Sequence, residues 1–138
     1  MQKSILILSL VFFFFSCSGS EPNLQLSNPE AFAFDLGDSW EVNASIKAIG
    51  FLVEEKEGNY FSKLSYSVDL ISQYDSLVAI YNDRVDKNGT EEILDIMLEA
   101  QIEIDSSFEE GDYKLIFNVT DELSKQTKSL SVDINLSK

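Results

Sequence analysis

The chain has 138 residues, with 24 acidic side chains against 10 basic ones, a formal net charge of −14, one cysteine and no histidine. That balance repels phosphate backbones and argues against nucleic acid as a partner. Without imidazole the chain lacks the commonest general base, the usual activator of a nucleophile and the commonest zinc ligand, and a lone cysteine allows no disulfide within the domain.

Residues 1–16 carry the parts of a secretory signal: Lys3, an apolar run from Ile5 to Phe15 and the small Ser16. The run is about half of the ~20 residues that a membrane-spanning helix needs. Cys17 follows at once. Phe14-Phe15-Ser16-Cys17 resembles the lipobox of bacterial lipoproteins, with Phe14 where that family usually carries an aliphatic residue. The resemblance covers residues 1–17. It implies cleavage of a signal peptide, 1–16, and lipidation of Cys17 through a thioether-linked diacylglycerol. Each acyl CH₂ contributes ~0.8 kcal/mol to attachment, so two or three chains hold a protein to a bilayer where one binds reversibly. Ser18 stands where some bacteria read an aspartate as an inner-membrane signal. The resemblance therefore implies a membrane partner through a lipid anchor in the bacterial cell envelope, at the outer membrane, on its periplasmic or its surface face.

Residues 17–30, rich in Ser, Asn, Pro and Gly, read as the lipidated cysteine and a flexible tether. Residues 31–138 suit a single domain. Phe32 and Phe34 predict a first edge strand, and Gly37-Asp38-Ser39 a turn. Trp40, Val42, Ala44, Ile46 and Ala48 alternate with polar residues, and the phase slips near Gly50. Glu54 to Asn59 reads as a charged turn. Leu64, Tyr66, Val68 and Leu70 give the next strand, Leu77 to Tyr81 a short one, and Asp86-Lys87-Asn88-Gly89 a turn. Leu94, Ile96, Leu98, Ala100, Ile102 and Ile104 form the cleanest alternation. Tyr113 to Val119 and Leu130 to Leu136 close the chain. One buried and one solvated face per strand predicts an all-β antiparallel sandwich of about seven strands.

Phe108-Glu109-Glu110-Gly111-Asp112-Tyr113 resembles the corner before the penultimate strand of immunoglobulin-like domains. That resemblance implies an immunoglobulin-like β-sandwich. In it Gly111 lets the chain turn between sheets, and the Tyr113 hydroxyl bonds upstream backbone, the tyrosine corner.

Chemistry is sparse. An acid-only glycosidase would need two carboxylates ~5–9.5 Å apart, and the candidates are Glu109 or Glu110 with Asp121 or Glu122. For calcium, Asp83, Asp86 and Asn88-Gly89 offer oxygens, as do Asp121 and Glu122, but Arg84 interrupts the alternation of acids that a calcium loop requires. The expectation is no metal, no cofactor and no enzymatic activity. A non-catalytic protein-binding or structural module is expected, which meets an envelope protein partner by an exposed sheet edge or by end loops such as 54–59, 83–90 and 121–126. The alternative is a carbohydrate or surface-polymer binding module, with Tyr60, Phe61 and Tyr74 as exposed stacking rings. The ligand-binding residues themselves are unknown from the sequence.

Overall fold

The computed structural model describes residues 21–138. The lipobox, Cys17 and the signal segment lie outside the described residues. Eight strands follow in order: β1 (Gln25–Asp35), β2 (Ser39–Ile49), β3 (Glu54–Lys56), β4 (Asn59–Ser72), β5 (Leu77–Gly89), β6 (Asp95–Asp105), β7 (Gly111–Asp121) and β8 (Thr127–Leu136). β1, β2 and β6 make one antiparallel sheet. In the other, β4 pairs with β5 on one side and with β3 and β7 on the other, and β8 follows β7. The two sheets form an antiparallel β-sandwich, with β3 as a three-residue arm in addition to seven full strands.

Alternation explains why these segments are strands. Val42, Ile46, Leu64, Val68, Leu98, Leu115 and Phe117 all lie at or near zero exposure on the two inner faces. The residues between them reach solvent. Trp40 is buried, as its phase requires, and its indole Nε1 donates to the carbonyl of Ser137 at 3.2 Å. Tyr66 crosses the core from β4, and its hydroxyl donates to the carbonyl of Glu99 at the open edge of β6. Burial, with Tyr81 and Asp83 nearby, pushes the Tyr66 hydroxyl well above its ordinary pKa.

Strand directions give the sandwich two ends. The near end carries residues 50–53, the Glu57-Gly58 hairpin, residues 90–94 and the Glu122–Gln126 turn. The far end carries residues 36–38, Gln73–Ser76 and Ser106–Glu110.

Three boundaries differ from the sequence reading. The segment expected to be tether through residue 30 joins the domain at Leu24, which is fully buried, and β1 begins at Gln25. Three hydrogen bonds fix that entry. Asn23 N donates to Gly50 O at 2.7 Å, Leu24 N donates to Gln126 Oε1 at 2.8 Å, and Gln126 Nε2 donates to Pro22 O at 2.7 Å. Asp86 to Gly89 do not turn the chain. They continue β5 along β4, with Gly89 opposite Tyr60, because Asp86 to Asn88 are exposed at the end of an edge strand, where charge is tolerated. Leu94 precedes β6 and is exposed at 70%, while Ile93 fills the core instead.

At the corner before β7, Gly111 has φ +141, a conformation that L side chains rarely adopt. Tyr113 is buried, and its hydroxyl donates to the carbonyl of Glu109 at 2.7 Å. Burial and the Glu109 carboxylate raise its pKa. Tyr113→Phe should lower the unfolding free energy by about 1 kcal/mol, the worth of one such bond. Urea denaturation measures this directly, and an unshifted midpoint would show that the hydroxyl contributes nothing.

Candidate functional site

β7 separates the candidate carboxylates. Glu109 and Glu110 precede its first residue at the far end, and Asp121 and Glu122 stand at its last, at the near end. Ten strand steps are ~33 Å, so these groups cannot flank one glycosidic bond.

Asp121 is fully buried and saturated. Its Oδ2 accepts from Leu52 N at 2.7 Å and from Ser124 Oγ at 2.6 Å. Its Oδ1 accepts from Leu123 N at 3.1 Å and Ser124 N at 3.4 Å. This carboxylate ties the crossover from β2 to the β7–β8 turn and has no free direction for a ligand.

Glu122 is held by the Ser65 hydroxyl, which donates at 2.5 Å, and by Lys125 at 3.5 Å. The Ser65 hydrogen bond, helped by Lys125 and Arg84, lowers its pKa below the ordinary carboxylate value. A depressed carboxylate contributes stability that is present above its unfolded pKa and is lost as pH falls through the folded one. Ser65→Ala should move the Glu122 titration up toward the ordinary range. Carboxyl-carbon NMR follows that curve residue by residue, and an identical midpoint in both proteins would refute the assignment.

The calcium candidates also diverge. Asp83 lies three residues before Asp86 in β5, so the two point to opposite faces of the strand. Asp83 accepts from the Tyr81 hydroxyl at 3.3 Å, and Asp86 accepts from Arg84 Nε at 2.9 Å. Among the described residues no three acidic side chains gather as a cation site.

The expected stacking rings do not form one platform. Tyr60 is half-buried near the start of β4, Phe61 is 39% exposed beside it, and Tyr74 is 76% exposed beyond the other end of the strand. Tyr74 stands at a small recess with Val78, Phe108 and Tyr113. Of the three expected interaction loops, 54–59 is the β3–β4 hairpin, 83–90 is mostly strand, and 121–126 is the turn built on Asp121.

A different group of apolar side chains is exposed. Phe32, Phe34 and Leu36 lie 61%, 52% and 57% open on and just after β1, and Met97 is 49% open on β6. Alternation alone assigned Phe32 and Phe34 to a strand without saying which way they face. The signal that could have oriented them is Asn28-Pro29, a pair that breaks strand pairing and marks a bulge.

No protein-family model matches this chain, and no curated protein matches it in sequence.

Proposed function

We propose that this chain is a lipid-anchored protein of the bacterial cell envelope, held at the outer membrane through Cys17, whose sandwich serves as a non-catalytic protein-binding or structural module. The observation that carries the reading is the position of the sole cysteine, directly after an apolar run and a small residue. The docking of Pro22–Leu24 supports it. With that segment clamped, only residues 18–21 separate Cys17 from the sandwich. Five Cα steps span at most ~18 Å, so an anchor at Cys17 keeps the near end close to the bilayer and leaves the far end open to the envelope space.

The test is to express the full chain and its Cys17→Ser variant in a bacterial host. The wild type is expected in the membrane fraction, with an intact mass that begins at a diacylglycerol-modified Cys17. The variant is expected outside that fraction. An unmodified thiol at Cys17 in the mature wild type would overturn the reading.

A further inference from the structure

One inserted residue decides where two phenylalanines point. Between Ser27 and Glu30, three steps along β1 match two steps along β2, from Lys47 to Ser45, and Asn28 takes φ +51. Leu26, before this bulge, packs against the core. Without the bulge that parity would carry Phe32 and Phe34 to the inner face as well. With it, Ala31 and Ala33 turn inward opposite Ala44 and Val42, and both rings face solvent. The strand thus puts small residues inside and aromatic ones outside, at the cost of a left-handed asparagine.

The surroundings of the rings are acidic. Cross-strand partners share a face, so Phe34, Glu41 and Glu103 lie in one row, and Glu30, Ser45 and Glu99 in another. Lys47 is the basic residue that β1, β2 and β6 contribute, and it is paired with Asp95 at 2.9 Å. A depression of about 610 Å³ crosses this face from Phe32, past Asn43 and Gln101, to Tyr81 and Asp83 on β5.

We propose that the outer face of the β1-β2-β6 sheet is a docking surface for a basic, apolar segment of another protein. The proposal rests on the binding-module reading above and names its surface and the chemistry of its partner. Charge complementarity selects the occupant. A second copy of this face would set carboxylates against carboxylates, and anionic head groups would be repelled in the same way. A segment with Lys or Arg between apolar side chains covers the rings and neutralises Glu30, Glu41, Glu99 and Glu103 together.

The probe is a labelled peptide of alternating lysine and leucine, titrated into the full chain and into F32S/F34S, which leaves the net charge unchanged. The wild type should bind, and the double variant should bind at least ~10-fold more weakly, as when aromatic anchors are removed from an interface. Amide shifts of the wild type on peptide addition should fall at residues 30–34, 41–45 and 97–103, a readout that needs no variant. Equal affinity for both proteins, shifts confined to β7 and β8, or equal affinity for a lysine–serine peptide would each overturn the proposal. So would loss of flotation with phosphatidylcholine vesicles as the one defect of F32S/F34S, which would make the face a lipid contact. Membrane capture through Cys17 does not depend on these rings, so failure of the anchoring and failure of the docking surface are told apart.

Discussion

Gly50→Ala is expected to lower the unfolding free energy by about 3 kcal/mol and to release the segment that enters the sandwich. Gly50 has φ +70, and a Cβ there would lie 2.0 Å from the carbonyl oxygen of Asn23 and 2.9 Å from its carbon. Both obstacles are backbone, so no side-chain rotation relieves them. The Asn23–Gly50 hydrogen bond breaks, Leu24 is drawn out of the core, and exposing that side chain alone costs about 2 kcal/mol. Gly37→Ala is the control. It shares a positive φ, at +95, but nothing lies within 4 Å of its Cβ, so its loss should stay near 1 kcal/mol. Urea midpoints rank the two variants, and amide exchange at Leu24 reports the release. Equal midpoints, with Leu24 still protected, would show that the close approach is not what fixes the entry. For an anchored protein the consequence is geometric. Freeing Pro22–Leu24 adds roughly 10 Å to the reach from Cys17, so under the anchoring proposed above the domain would sit more loosely at the membrane.

Much of the sandwich was legible because β2, β4, β6 and β7 each bury one face completely. A strand with Val42, Ile46 and Ala48 on one side and Asn43, Ser45 and Lys47 on the other has one stable way to lie on a core. The corner was legible for a local reason, since Gly111 and Tyr113 act within a few residues of each other. β5 was half legible: at the end of an edge strand, Asp86 to Gly89 carry no apolar alternation and look like a turn. The start of the domain was obscured because its determinants are distant. Gln126 lies 102 residues from Leu24, and nothing near Pro22 announces that bond. The orientation of Phe32 and Phe34 depends on a bulge four residues upstream, which shifts parity without changing composition. Asp121 misled in the opposite sense. An acid in a hairpin turn resembles a ligand until the amides converging on it are seen.

Asp121→Asn should destabilise the domain by about 3 kcal/mol although it removes hardly any volume. Each oxygen of Asp121 accepts two bonds, and at least one of each pair comes from a backbone amide. An asparagine in either flip sets its NH₂ against such an amide, so a buried N–H loses its acceptor and meets a donor. Ser124 can rotate its hydroxyl to accept, but Leu52 and Leu123 have no such freedom. Asp133→Asn gives the scale, because its ion pair with Lys114 is largely exposed and such pairs contribute about 0–1 kcal/mol. Urea denaturation of the two variants should separate them clearly, with the larger shift at Asp121, and matched midpoints would refute the account. The bond that matters most is the one to Leu52, because that residue lies in the crossover from the β1-β2-β6 sheet to the other. Losing it frees the crossover from the β7–β8 turn, and with it the footing of Gln126, whose amide group holds Pro22 and Leu24. The entry clamp and the buried carboxylate are therefore coupled. In the double variant Asp121→Asn/Gly50→Ala the two losses should sum to less than their separate values, since each removes part of what the other would lose.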